Sequence, residues 1–391
     1  MNDAQVASNG QRWLTLAGLL LVALNLRPAL TSVAPVLTRI GQDLELSSAG
    51  QGVLTTLPVL CLGLAAPLAP RIARRIGSER AVLAVLALLT VAMILRPYIG
   101  GAGLFVGTAI AGASIGIMGV LLPGLVKRDF PRNVGFMTGL YTVALNLGAS
   151  LGAGITEPMR LAFGDYWQPA LAVWFTPALV AGLVWKLQMR AKHQSDQRKR
   201  GNRRLHHNLL AWQVTLYMGL QSSLAYIVFG WLPTILADRG MAPVAAGAAL
   251  SVSILFQVIT AIVAPTFGTR MRDQRAVITL SMIVATIGLM GCIYAPINSA
   301  WFWIVVLGLG QGGTFSLALT LLALRASDAE TANELSGMAQ GVGYIIAACG
   351  PLAIGMIHQY FNNWSAIGVL IGLIGAGATA AGLGAGRDRW V

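Results

Sequence analysis

The charges of this chain are kept out of long stretches of its sequence. Only 10% of the 391 residues are charged and 56% are hydrophobic, whereas soluble domains carry roughly 25% charged residues. Charge-free runs cover 46–70, 97–126, 133–156, 166–185, 205–237 and 240–269, and two longer ones cover 276–324 and 335–386. A helix needs about 20 apolar residues to cross a bilayer, so each shorter run holds one span and each longer run two. Run 81–95 and the segment from Trp13 to about Leu37 bring the expected total to twelve. Backbone polar groups in lipid must be satisfied within the protein, which leaves helices or closed barrels. The alternating strands of a barrel are missing. The expected fold class is therefore an all-α polytopic membrane protein. The first span is too long for a cleavable signal peptide and lacks a small-x-small site, so it is read as retained.

The formal net charge is +13, and its distribution points to topology rather than to nucleic acid. With the N-terminus inside, only Arg39, Arg96, Arg160 and Arg239 of the 27 basic residues fall on the outer side, and Arg27 lies within a span. By the positive-inside rule both termini are expected in the cytoplasm. Residues 190–208 form the one long, highly charged segment between spans. They read as a solvated linker between bundles 1–189 and 209–391, with an anionic-lipid or nucleic-acid site as the sharper alternative. The halves resemble each other. Pro35 and Pro67 are 32 residues apart, as are Pro233 and Pro265, and Gly139 and Gly148 match Gly341 and Gly350 at one offset. A six-helix unit used twice, with solute held between the halves near the midplane, is the expectation.

Several chemistries are excluded or disfavoured. Cys61, Cys292 and Cys349 lie in separate apolar runs and read as packing residues. His193, His206, His207 and His358 have no zinc spacing, so no metal or cofactor is expected. Gly308-Leu-Gly310-Gln-Gly312-Gly313 contains a GxGxxG string, but it lies inside a span without the strand that a dinucleotide site requires. There is no phosphate-binding loop. The pairs Gly112/Gly116, Gly135/Gly139 and Gly148/Gly152 have the spacing that lets helices approach closely in lipid. No nucleophile or paired carboxylates converge, so the chain is not expected to be an enzyme.

Arg27 is the sole charge in its span. An arginine at mid-bilayer costs from about 3 to more than 10 kcal/mol, and residues of this kind usually line a cavity or pair with a partner. All fourteen acidic residues fall outside the span centres. The expectation is that Arg27 contacts substrate, with structural pairing as the alternative. Its fork suits a carboxylate, cyanate or nitro group. Pro28 follows it and frees the Leu24 carbonyl from the helix ladder.

The stretch Asn25-Leu-Arg27-Pro28-Ala-Leu-Thr31-Ser32-Val-Ala-Pro35 resembles the cyanate- and nitroimidazole-transporter branch of the major facilitator superfamily. So do Leu121-Leu-Pro-Gly-Leu-Val-Lys127-Arg128-Asp129-Phe-Pro131, Ala211-Trp212-Gln213, Gly230-Trp231-Leu-Pro233, Leu335-Ser-Gly-Met-Ala-Gln340-Gly-Val-Gly-Tyr344 and Ala385-Gly386-Arg387-Asp388. The resemblance covers nearly the whole chain. It implies two six-helix bundles, alternating access, and a cavity lined by spans 1, 4, 7 and 10 with help from 2, 5, 8 and 11. It also implies a multi-pass protein of the bacterial inner membrane whose partners are a small solute and the lipid bilayer, working as a monomer. One departure is that the loop after span 2, Pro70-Arg71-Ile-Ala-Arg74-Arg75-Ile-Gly77-Ser-Glu79-Arg80, lacks the usual Asp; Glu79 is a candidate substitute.

With those spans in view, the expected substrate contacts are Arg27, Asn25, Thr31, Tyr141, Asn146, Tyr217, Gln221, Tyr226, Gln257, Gln311, Gln340 and Tyr344. Each has a competing reading as interhelical glue. Asn25 points away from Arg27 around the helix, whereas Thr31, four residues on, shares its face. Arg96 is read as snorkelling to the outer interface, with anion recruitment as the alternative. Glu157 and His358 are possible coupling groups. The expected activity is secondary or facilitated transport of a small anion or polar heterocycle. The alternative, a proton-coupled exporter of hydrophobic drugs, calls for an aromatic lining and a carboxylate in the cavity. A receptor or scaffold would be expected to carry a sizeable soluble domain, and no inter-span segment is long enough for one.

Overall fold

The computed structural model describes residues 9–130, 134–189, 205–268, 270–327, 329–361 and 364–391. The expected linker therefore lies outside the described residues as far as 204. Among the described residues, eleven helical segments are long and apolar enough to cross a membrane. In chain order, with the helix Val134–Ala162 as the fifth, they form spans 1 to 12. Spans 1 to 6 are Trp13–Asp43, Ser48–Ile76, Ser78–Leu95, Gly100–Val126, Val134–Ala162 and Trp167–Gln188. Spans 7 to 12 are Leu209–Asp238, Pro243–Gly268, Arg275–Tyr294, Ile297–Leu324, Glu334–Phe361 and Ala366–Ala385. Span 5 has 29 residues, ample for a crossing. Polar positions such as Asn146, Ser150 and Thr156 make it less apolar, but these are buried in protein. Leu88, Val91, Leu183, Ile259, Leu280 and Leu373 are exposed, as a lipid-facing surface requires.

Each half packs within itself in the same pattern. Span 1 lies on 5 and 6, span 2 on 4, and span 3 on 4 and 6; span 7 lies on 11 and 12, span 8 on 10, and span 9 on 10 and 12. Two seams join the halves, span 2 against 11 and span 5 against 8. Small residues allow the approach. A Cβ on Gly112 or Gly116 would overlap the span 2 backbone at Pro58 or Leu62. The GxGxxG glycines serve the same end: Gly308 and Gly312 abut Ser253 and Gln257 of span 8, and Gly310 abuts Ala285 of span 9.

Span 1 is not one helix. A helix ends at Asn25, another runs Pro28–Thr31, a 3-10 turn covers Ala34–Val36, and Leu37–Asp43 completes it. Pro28 and Pro35 each lack the N–H that would continue the ladder, and neighbouring spans use the disturbed backbone. The Leu24 carbonyl rests on Gly148 of span 5, where a Cβ has no room. Thr31 Oγ1 donates to the Ala149 carbonyl at 2.9 Å. Asn25 Nδ2 donates to Leu21 O at 2.7 Å and to Pro177 O of span 6 at 3.0 Å. These bonds correct the expectation for Asn25 and Thr31, which hold span 1 to its neighbours and do not line the cavity.

Arg96 is also corrected. It is 1% exposed, and its guanidinium turns inward to donate to Ala29 O at 3.1 Å and Ser32 Oγ at 3.5 Å. A broken helix nearby offers acceptors, so the side chain does not reach for the interface. In the loop after span 2, Gly77 has φ +88°, a conformation suited to glycine. Glu79 pairs with Arg128 at 2.9 Å, and its carbonyl accepts from Trp185 Nε1 at 3.0 Å. Glu79 thus ties span 3 to spans 4 and 6 at the end with the basic loops.

Gly148→Ala should lower the melting temperature of the purified protein by several degrees, because backbone on both sides resists the added methyl at about 1–3 kcal/mol. Gly182→Ala meets nothing within 4 Å and should leave the melting temperature unchanged. Equal melting curves for the two variants would contradict the packing described.

Candidate substrate cavity

Two cavities of about 450 and 410 Å³ meet at Arg27. Both touch Arg27, Thr142, Asn146, Tyr226, Phe315 and Leu319, so they are two lobes of one chamber between the halves. The first lobe adds Ser222, Phe229, Gln257 and Gln311; the second adds Tyr141, Gln340 and Tyr344 over an apolar wall that includes Leu30 and Leu62. The lobes reach Pro265 and Thr320 on one side and Val120 and Ser336 on the other, positions in the halves of spans 8, 10, 4 and 11 nearest the basic loops.

The opposite end is shut along both seams. Ser150 Oγ lies 2.5 Å from Ser251 Oγ, and Ser251 Oγ donates to Ser150 O at 2.9 Å. Gly52 and Gly355 leave no room for side chains between spans 2 and 11. Ser48 Oγ lies 3.1 Å from His358 Nδ1, and Ala49 N donates to Gln359 Oε1 at 3.0 Å.

The break in span 1 sets Arg27 at the junction of the lobes. Its guanidinium carbon lies 5.3 Å from the centroid of Phe229 and 5.6 Å from that of Phe315. A cation held against an aromatic face gains about 0.5–2 kcal/mol, too little to replace a counter-ion. Among the described residues no carboxylate pairs with Arg27 and no acceptor takes a hydrogen bond from it. Asn146, 6% exposed, lines both lobes and has no protein hydrogen bond among the described residues.

The other expected contacts divide. Tyr226 touches both lobes, and its ring meets those of Phe229 and Tyr344 edge-on at 6.0 and 6.1 Å. Gln257 and Gln311 line the first lobe and bond each other, Nε2 to Oε1, at 3.2 Å. Tyr141, Gln340 and Tyr344 line the second, where Gln340 Nε2 donates to Ser336 Oγ at 2.7 Å. Tyr217 and Gln221 line neither lobe. Tyr217 is fully buried with its hydroxyl on Thr314 O at 3.1 Å, and Gln221 Nε2 bonds Met218 O and Ser222 Oγ. The cavity face of span 7 is Ser222, Tyr226 and Phe229, spaced by four and three residues as one helix face demands. Gln221 is one residue, about 100° of turn, off that face.

Neither coupling candidate reaches the chamber. Glu157, 2% exposed, holds Arg160 through two bonds of 2.9 and 2.8 Å, beside a separate pocket of about 300 Å³ at the closed end. His358 stacks on Trp364 with centroids 4.2 Å apart. Two of the aromatic residues beside Arg27, Phe229 and Phe315, escaped the sequence reading. Phe315 stands four residues after Gln311 and Phe229 three after Tyr226, so helical spacing from accepted candidates was the available signal.

Comparison with known proteins agrees with this architecture. The chain is 39% identical over 393 residues to the 2-nitroimidazole transporter of Escherichia coli (strain K12), covering 98% of each. It is 30% identical over 348 residues to the cyanate transport protein CynX of the same organism, covering 88% of this chain and 90% of that protein. Among solved structures, an inward-facing, unoccupied bacterial homologue of the lysosomal transporter Spinster superposes with a TM-score of 0.77 at 14% identity, over 98% of this chain and 99% of that one. That likeness speaks to the fold. The family model of the Major Facilitator Superfamily matches residues 18–348 and 225–385, so this multi-pass chain belongs to that superfamily of transporters, with the cyanate and nitroimidazole transporters as relatives.

Proposed function

We propose that the chain carries a small, planar, anionic or polar solute across the bacterial inner membrane by alternating access, with Arg27 as the anchor for the ligand. The observation that carries this reading is that Arg27 opens into the chamber with no counter-ion among the described residues. A ligand bearing a carboxylate or nitro group would complete it through two parallel hydrogen bonds, and a linear cyanate through one terminal atom. The relatives' names, a nitroimidazole and cyanate transporter, fall within that chemistry. The excess of basic residues in the loops at the open end supports a cytoplasmic location for that end and for both termini. The chamber then faces inward, and the small-residue seams are the contacts that part when it faces outward. The chain would work as a monomer.

No carboxylate lines the chamber among the described residues, and Glu157 is engaged with Arg160. Facilitated diffusion, exchange, or co-transport in which the solute carries the proton suits this lining best. The aromatic walls favour a second reading, proton-coupled export of hydrophobic drugs, and the missing carboxylate opposes it.

Arg27→Ala should weaken binding of a nitroimidazole or of cyanate to the purified protein by roughly ten- to a hundredfold, the worth of charge-assisted hydrogen bonds. Arg27→Lys should restore only part of it, since an ammonium lacks the fork. Titration calorimetry showing unchanged affinity in Arg27→Ala would overturn the anchor. Glu157→Gln should lower the melting temperature, because it weakens a buried pair with Arg160, yet leave solute uptake into proteoliposomes unchanged with or without a pH gradient. Loss of gradient-driven uptake in Glu157→Gln would favour the drug-exporter reading.

A further inference from the structure

The amide pair of the first lobe has a fixed orientation. Gln311 Nε2 donates to the carbonyl of Leu224 at 3.4 Å. A carbonyl can only accept, so the nitrogen of Gln311 must face it and Oε1 must face away. Gln257 Nε2 donates to that Oε1 at 3.2 Å. The relay thereby decides which end of the Gln257 amide is free. Its nitrogen is used, and its oxygen remains. Gln257 is 6% exposed and Gln311 3%, and both line the lobe that Arg27 closes. Nothing among the described residues donates to Gln257 Oε1, which is also not among the side-chain atoms sealed away without a partner. It is the remaining acceptor of a side chain that lines the chamber.

Other groups in the chamber complement a different part of a ligand. Arg27 has only donors, and the lobe around it is otherwise mostly apolar, with Val258, Ala261, Ile262 and Phe315. An acceptor fixed on one wall and a donor fork at the lobe's mouth require a solute with both complements. We propose that Gln257 is a specificity-determining residue: its Oε1 takes a hydrogen bond from an N–H or O–H of the solute whose nitro or anionic group lies on Arg27, and Gln311 positions it. The inference rests on the anchoring reading of Arg27 and narrows the solute to planar molecules that carry an N–H or O–H donor as well as the acceptor group. A solute without a donor leaves a buried carbonyl oxygen unpaired. Sites built to hydrogen-bond a substrate group reject analogues lacking it for that reason.

The test uses the full-length protein in detergent or nanodiscs, at mildly acidic pH so that the ring keeps its proton. The probes are 4-nitroimidazole and 1-methyl-4-nitroimidazole. Wild type should bind the N–H probe about tenfold more tightly than the methylated one, the usual cost of an unpaired buried polar group. Gln257→Met, close in length and without an amide, should bring the two affinities within about twofold of each other. A steric objection to the methyl group would survive that substitution, so collapse of the preference separates donor loss from bulk. Gln311→Met should reduce the preference as well, because it releases the Gln257 amide to flip. Equal binding of both probes by wild type, or a preference that persists in Gln257→Met, overturns the inference while leaving the Arg27 anchor standing if Arg27→Ala still weakens both probes. Failure of wild type to bind either probe, or equal binding by wild type and Arg27→Ala, overturns the anchoring reading and this inference with it.

Discussion

A guanidinium inside a bilayer has to be enclosed, and the enclosure of Arg27 organises much of this molecule. Unpaired, it would cost several kcal/mol at least. The chain surrounds it with Phe229 and Phe315, which recover part of that cost through their π faces. It supplies no carboxylate among the described residues. Two lobes meet where the charge stands, so the guanidinium remains open to whatever enters. A charge kept incomplete in this way favours a state in which something else completes it.

The same position explains the unusual first span. Arg27 lies in the turn between two helical pieces, ahead of Pro28. Carbonyls that an unbroken helix would consume are left for other spans. Arg96 takes that of Ala29, and Gly148 has no side chain, so the Leu24 carbonyl can rest against it. Thr31 and Asn25 then bind span 1 to spans 5 and 6. The break that brings a charge to the midplane is thus held rigid by its neighbours, which is what a binding site on an interrupted helix needs.

Much of this was legible in the sequence. The twelve spans follow from charge-free runs, because lipid forbids both unpaired backbone and stray charge. The importance of Arg27 follows from the same rule, since one arginine in an apolar span stands out against it. Hydrogen-bond partners were not legible. Asn25 and Thr31 are as polar as Asn146 and Gln257, and only the packing shows that the first pair spends its bonds on backbone while the second faces the chamber. Tyr217 and Tyr226 illustrate the same limit: they share a span and a residue type, yet nine residues of helix turn them to different faces. Phe229 and Phe315 were missed because an apolar residue in an apolar span carries no signal of its own. Arg96 was misread because snorkelling assumes that no acceptor lies inward, and the break in span 1 created one.

In the proposed function Arg27 waits for a ligand group and not for a protein partner. A structure of the protein with a bromine-substituted nitroimidazole, located by anomalous scattering, tests it most directly. The nitro oxygens should lie within hydrogen-bond distance of the Arg27 guanidinium at the junction of the two lobes. A bromine signal elsewhere in the chamber, with Arg27 turned to a protein carbonyl or carboxylate, would contradict it.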